Sequence, residues 1–251
     1  MICFVGAGPG ARDLITIRGQ RLLSGADRII YAGSLVNPAL LEYAGEHCEI
    51  YNSAEMTLEE VIETMREGDA RGMEIVRLHT GDPCLYGAVR EQMDALDRLG
   101  IAYEVCPGVS SFCGAAASLK TEYTLPGLTQ SVIITRVSGR TKVPEKERLS
   151  RLAEHGAAMV LFLSAGLLEE ARRELLQGAY TEETPCAIVY KATWAEEKIV
   201  RGTLGGLVEM AAENGITRTA LIVVGEFLGD DYELSRLYAA DFSTGYREAS
   251  V

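Results

Sequence analysis

The feature that most constrains this chain is a rhythm: short β-branched runs alternate with longer stretches of helical spacing from the first residues onward. Ile2–Gly6 reads as a compact apolar strand entering a glycine turn. Asp13–Ala26 follows as a helix, with Leu14, Ile17, Leu22 and Leu23 apolar, and Asp27–Ala32 as a second strand. Met56–Arg66 carries apolar residues at 58, 61, 62 and 65, the stripe of a surface helix. Glu74–His79 is a strand, Tyr86–Leu99 a helix ended by Gly100, and Tyr103–Cys106 another strand. Parallel strands are joined by crossovers of a dozen or more residues, usually a helix. The alternation therefore demands a largely parallel sheet with helices on its faces.

Thr121–Gln130, with Thr124, Pro126 and Gly127, breaks the rhythm, which then restarts. Ser131–Arg136 reads as a strand, Glu145–His155 as a helix, Ala158–Ser164 as a strand and Leu167–Gln177 as a helix. Strands at Cys186–Lys191 and Lys198–Thr203 form an expected antiparallel pair, followed by helix Leu207–Asn214 and strand Ala220–Gly225. For 251 residues this suits two α/β domains of roughly 100–150 residues each. The expected boundaries are 1–120, a linker at 121–130, 131–228, and an aperiodic tail at 229–251, docked or frayed.

Lys and Arg total 24 against 36 Asp and Glu, a net charge of −12 with no basic run. Such a chain is poorly suited to nucleic acid or to an anionic membrane surface. The six cysteines, at 3, 48, 84, 106, 113 and 186, form no C-x-x-C pair and lie beside no histidine cluster. Neither a metal site nor a disulfide framework is expected. Without a basic-then-apolar leader or an apolar stretch of about 18 residues, we expect no signal peptide and no membrane span, and a reducing cytoplasm.

Four stretches could carry chemistry. Gly6-Ala7-Gly8-Pro9-Gly10-Ala11 fits G-x-G-x-x-[G/A] between a strand and a helix, the pattern of a dinucleotide pyrophosphate loop. Against that, Pro9 lacks an N–H, and the acid expected about 20 positions on, at the end of the second strand, is missing where Tyr31-Ala32-Gly33 stands. Asp13 would place charge near the phosphate, or cap the helix. A plain tight turn that packs strand against helix fits these residues without a ligand. Thr80-Gly81-Asp82-Pro83 ends a strand, where open α/β sheets gather ligands; Asp82 could meet a ribose hydroxyl, an ammonium or a sulfonium, or merely cap the next helix. Pro107-Gly108-Val109-Ser110-Ser111 again runs from strand to helix, and its serines could cap or bind; it is no G-x-S-x-G elbow. Val189–Trp194 holds the sole tryptophan after a strand, as an aromatic anchor. His47, His79 and His155 are scattered and read as surface or packing residues, with His79 set apart by ending the strand that feeds Asp82.

Together and in this order, VGAGPG, RLHTGDPCLYG, CPGVSS and ALIVVGE resemble the tetrapyrrole (precorrin) methyltransferases, over nearly the whole chain to about residue 228. YAGSLV (31–36), LTQSVIITRVSGRTKVPE (128–145) and VYKATWAEEKIVRGTL (189–204) are similar to the subgroup that methylates carbon 11 of precorrin-4 or its cobalt form. The resemblance implies two α/β domains with a ligand cleft between them, a homodimer, and S-adenosylmethionine as methyl donor. It implies cofactor contacts at Pro9, Thr80, Gly81, Asp82, Leu85, Ser110, Ser111, Leu163, Ala192, Ala220 and Leu221. It places the glycine loop 6–10, with Gly8, and the segment Arg136–Arg140 toward the tetrapyrrole; Arg12 and Lys191, beside the matched motifs, are added as candidate substrate contacts for their charge.

A sulfonium already carries a good leaving group, so no catalytic triad is required. His79, Asp82 and Tyr86 are candidates for a base by position only. The substrate is rich in carboxylates while the chain is acidic, so cations drawn from Arg12, Arg18, Arg136, Arg140, Lys191 and Lys198 should concentrate at the site. The rival readings are a methyltransferase of the same family acting on another precorrin carbon, or on protein or RNA, and an NAD(P)-dependent oxidoreductase built on the glycine loop. A non-catalytic module with a large apolar patch is a further one.

Overall fold

The computed structural model describes residues 1–250; Val251, the last residue of the expected tail, lies outside the described residues. The chain forms two compact units, Met1–Ala115 with Lys191–Glu197, and Ala116–Tyr190 with the chain from Lys198 onward.

The first unit is built on five parallel strands: β1 (Ile2–Gly6), β2 (Arg28–Tyr31), β3 (Glu49–Asn52), β4 (Ile75–His79) and β5 (Tyr103–Cys106). Their order is β3-β2-β4-β1-β5. The expected parallel sheet is present, and β3 is an addition, since Glu49-Ile50-Tyr51-Asn52 has no apolar run to betray it. Period-two alternation gives the sheet two faces. Cys3, Val5, Val76 and Leu78 pack on one side with Leu23 of α1 (Ile17–Ser24). Ile2, Phe4 and Ile75 pack on the other with Val61 and Met65 of α2 (Leu58–Ala70) and Leu96 of α3 (Arg90–Leu99).

All three helices start later than the periodicity predicts, α2 by two residues behind its Thr57 cap and the other two by four. Thr16, not Asp13, caps α1, its Oγ1 accepting from the Gly19 amide at 3.0 Å, while Asp13 sits in a separate 3-10 turn. Likewise α3 begins at Arg90 rather than at Tyr86, because Tyr86 and Ala88 have φ of 55° and 49°. Left-handed residues cannot continue a right-handed helix.

The second unit contains β6 (Val132–Thr135), β7 (Ala158–Leu161), β8 (Pro185–Tyr190), β9 (Lys198–Thr203) and β10 (Ala220–Val224), in the order β6-β7-β10-β8-β9. Only β6 and β7 run parallel; β10 is antiparallel to both of its neighbours, and β8 pairs with β9 as the expected antiparallel pair. Segment 191–197 is too short for a crossover of about a dozen residues, so β9 must reverse on β8. Helices α4 (Ser111–Leu119), α5 (Leu149–Leu152), α6 (Leu168–Leu175) and α7 (Leu207–Glu213) complete the set. The predicted helix 145–155 is broken into two 3-10 turns around α5. Met159, Leu161, Ile188, Ile222 and Val224 form the core with Ala171 and Leu175 of α6. From Gly229 the tail holds one 3-10 turn, Arg236–Tyr238, and gathers around the Arg247 guanidinium, which donates to the carbonyls of Leu237, Tyr238, Ala239 and Phe242.

Among the described residues no helix is long and apolar enough to cross a membrane, and no three His, Cys, Asp or Glu side chains cluster to hold a metal. All six cysteines are free thiols.

Candidate active site

The three adjacent strands β4, β1 and β5 all end on one edge of the first unit's sheet, the edge where open α/β sheets bind ligands. Their loops are interlocked main chain against main chain. A Cβ on Gly108 would lie 2.2 Å from the Gly81 carbonyl and 2.7 Å from Gly6 Cα, so only glycine fits there. The Gly8 amide donates to Gly81 O at 3.2 Å, the Gly81 amide to Gly8 O at 2.9 Å, and Ala7 N to His79 O at 2.7 Å.

Asp82 fastens the third loop. Its Oδ1 accepts from the Cys84 amide and its Oδ2 from the Gly108 amide, both at 2.8 Å. Partial burial works against the ionised carboxyl, but hydrogen bonds from the Cys84 side chain and from the amides of Cys84 and Gly108 outweigh it and hold the acid below its ordinary range. The site therefore presents a fixed negative charge beside Thr80, Gly81 and Leu85. Ser110, buried, opens α4, its carbonyl accepting from the amides of Cys113 and Gly114, and Ser111 follows at the first helical position.

Segment 191–197, which joins β8 to β9 in sequence, belongs to the first unit and closes on the glycine loop. Thr193 Oγ1 accepts from the Ala11 amide at 2.9 Å, and the Trp194 indole donates to Pro9 O at 3.2 Å. From another side Asn37 Nδ2 donates to Gly10 O at 2.9 Å. Ala192 is buried in this segment. Thr193 has φ of 67°, a conformation that costs a β-branched residue on the order of 1–3 kcal/mol. Sequence reasoning noticed Trp194 only as an anchor and passed over Thr193 and Asn37. The one signal was the lone tryptophan directly after a strand.

The same contacts decide the dinucleotide reading. Ala7, Gly8 and Ala11 spend their amides inside the protein and Pro9 has none, so four of five consecutive positions offer a phosphate no donor. The fingerprint is a packing turn.

The three base candidates differ sharply. His79 is 3% exposed, lies 6.2 Å from the Phe4 ring and has no partner at Nε2; burial, with Arg77 adding like charge, pulls its pKa down to about 3. It is a neutral core residue at ordinary pH. Tyr86 is 43% exposed on the left-handed loop before α3. Asp82 is ionised and doubly hydrogen-bonded.

Most expected substrate cations have partners nearby. Arg12 pairs with Glu42 at 2.6 Å and lies over the Tyr43 ring, while Lys191 pairs with Glu196 at 3.1 Å and lies over Trp194. Arg136 donates to the carbonyls of Val137, Thr141 and Lys142, closing its own loop, and Lys198 donates to Asn214 O. Arg18 and Arg140 are exposed.

Within the second unit, Leu163 stands out. It is 64% exposed with φ of 52°, beside Ser164, whose fully buried hydroxyl accepts from Val137 N at 2.9 Å and donates to Phe162 O at 2.7 Å. Ala220 and Leu221 are buried in β10.

The model of the Tetrapyrrole (Corrin/Porphyrin) Methylases matches residues 1–208. The chain belongs to this family. The cobalt-precorrin-4 C(11)-methyltransferase of Methanocaldococcus jannaschii is 52% identical over 249 residues, covering 99% of this chain and 96% of the relative. Among solved structures, a cobalt precorrin-4 methyltransferase described as a cobalamin biosynthetic enzyme superposes with a TM-score of 0.89 at 45% identity, covering 91% of this chain and 96% of that one. A uroporphyrin-III C-methyl transferase from Thermus thermophilus, complexed with S-adenosylhomocysteine, gives 0.75 at 26% identity, covering 90% and 98%. The solved relatives share the arrangement of both sheets.

Proposed function

We propose that the protein is an S-adenosylmethionine-dependent methyltransferase that adds a methyl group to carbon 11 of precorrin-4 or its cobalt complex. The observation that carries this reading is the carboxyl-edge site of the first unit. Three glycine-locked loops and an ionised Asp82 offer charge and close main-chain approach, while the glycine loop lacks the amides a phosphate needs. The relatives' names supply the substrate.

The donor, when bound, supplies an activated methyl on a sulfonium. The chain's task is to hold, orient and exclude water, and alignment of this kind can lower a barrier by about 7–11 kcal/mol. Pro9, Thr80, Gly81, Asp82, Leu85, Ser110, Ser111 and Ala192 are the proposed contacts in the first unit, with Asp82 accepting from a ribose hydroxyl or an ammonium. The family pattern adds Leu163, Ala220 and Leu221 as further proposed cofactor contacts. The carboxylate-rich acceptor falls to Gly8, Arg12, Arg136, Arg140 and Lys191. On this reading, replacing Arg136 and Arg140 by alanine raises the KM for the tetrapyrrole and leaves S-adenosylhomocysteine affinity unchanged. A homodimer, measured by light scattering, and a reducing cytoplasm, which suits six free thiols, complete the proposal.

The test is a thermal titration with S-adenosylhomocysteine beside NADH and NADPH, followed by methylation of precorrin-4 and of its cobalt form with the product's carbon assigned by NMR. Ligand at about 100 times its Kd stabilises by roughly 2.7 kcal/mol, a shift of several degrees. A shift with S-adenosylhomocysteine and a methyl on carbon 11 is expected. A shift with a nicotinamide alone overturns the reading.

A further inference from the structure

We propose that Thr193, assisted by Trp194, is a positioning residue for the methyl donor: the strap 191–197 fixes the spacing between Pro9 and Ala192. The proposal rests on the function assigned above, in which both residues contact the donor. They are far apart in sequence, yet one short segment both carries Ala192 and grips the main chain on each side of Gly10.

Thr193 takes the Ala11 amide on its hydroxyl and Trp194 gives its indole proton to the Pro9 carbonyl, so the loop is held at both ends. The fit leaves no slack. A Cβ on Gly10 would lie 2.0 Å from Trp194 Cδ1 and 2.6 Å from the Ala192 carbonyl. On α4, a Cβ on Gly114 would lie 2.6 Å from the Pro9 ring and 3.4 Å from Thr193 Cγ2.

The strap is itself braced. Thr193 N donates to Glu197 Oε2 at 2.5 Å, Trp194 N to Lys191 O at 3.0 Å and Glu197 N to Trp194 O at 3.1 Å. Lys191 and Thr193 are both left-handed, with φ of 47° and 67°. A β-branched residue held in that conformation, with its hydroxyl and amide each spent on a defined partner, is over-determined by its surroundings. Such strain clusters at ligand clamps. A tight turn could be closed by any hairpin tip; this one is closed by a strained threonine that takes the amide of Ala11, two residues beyond the proposed donor contact Pro9.

The experiment compares Thr193→Val, which keeps the shape and removes the acceptor, with Thr193→Ser, which restores it. Calorimetry with S-adenosylhomocysteine and steady-state methylation are the readouts. Thr193→Val should weaken S-adenosylhomocysteine about tenfold and raise the donor KM to match, the scale of a donor left without its acceptor. The tetrapyrrole KM should hold, and Thr193→Ser should recover affinity to within about twofold of wild type. If Thr193→Val does not fold, Glu197→Ala against Glu197→Gln makes the same comparison one bond further out. Unchanged affinity in the valine variant, or no recovery in serine, overturns the positioning role while leaving the methyltransferase reading intact. A wild-type protein that binds no S-adenosylhomocysteine overturns that reading and this proposal with it.

Discussion

The two units solve one problem in different ways. In the first, every strand runs the same way, so all loops that follow strands emerge on one edge, and three of them lock together through Gly6, Gly81 and Gly108. In the second, the antiparallel β10 sits between β7 and β8, so loops that follow strands emerge on both edges. There the exposed Leu163 is set not by interlocking glycines but by a single buried hydroxyl, Ser164. Parallel topology concentrates main chain at one place; mixed topology leaves each loop to fix itself locally.

The largest expected effect comes from adding one methyl group on each side of that comparison. Gly108→Ala drives a Cβ to 2.2 Å from the Gly81 carbonyl, where no side chain can give way, and should cost about 3 kcal/mol, the upper end of over-packing penalties. Gly166→Ala in the second unit meets nothing nearer than Thr217 O at 3.7 Å and should stay within about 0.5 kcal/mol. Equal losses in chemical denaturation would break the contrast.

Next comes acid sensitivity beneath the first unit's loops. His79 stays neutral in the folded chain down to about pH 3, while the unfolded chain takes up the proton below its ordinary 6.5. Stability from this source is complete above pH 6.5 and falls as pH drops, by about 2 kcal/mol at pH 5. His79→Leu should flatten that slope in denaturation series from pH 7 to 5. A slope equal to wild type would place the acid-sensitive group elsewhere.

A smaller pair separates charge from geometry. Asp82→Asn turns one acceptor oxygen into an NH2 donor, so one of the two charge-assisted hydrogen bonds is lost and the other loses its charge, at a cost of about 1–2 kcal/mol. Because the acid is depressed below its ordinary 3.8, its contribution is full above about pH 4 and vanishes as pH falls through the folded value. The gap between variant and wild type should therefore close in strong acid. Ser164→Ala orphans the Val137 amide for about 1 kcal/mol at every pH tested, having no charge to lose. A pH-independent gap at Asp82 would sink the claim that its charge does the fastening.

Much of this was legible from the residues. The alternation fixed a parallel sheet in the first half, since helical crossovers leave no other arrangement, and four strands were read there with nearly their observed ends. Where the reading missed, local conformation had been overridden from outside. Tyr86–Val89 has helical spacing, but Tyr86 and Ala88 are left-handed, and a Cβ on Gly87 would lie 2.4 Å from the Pro83 carbonyl. The short strand β3 is paired by β2 rather than by its own propensity. Its proline and its missing acid argue against the glycine fingerprint, and the hydrogen bonds show the deeper reason: the amides of Ala7, Gly8 and Ala11 are already spent.

By itself, then, the sequence determined the class of sheet, the strand-end position of Asp82 and the family, because those follow from periodicity and from motifs contiguous along the chain. Only the tertiary structure decided that Thr193 and Trp194 hold the loop at Pro9–Ala11, that Asp82 reaches Gly108, and that β10 lies antiparallel in the middle of its sheet. Each of these joins residues distant along the chain. Hydrogen bonds of that kind depend on where folding brings two distant groups, one of them main chain, and no local pattern encodes that.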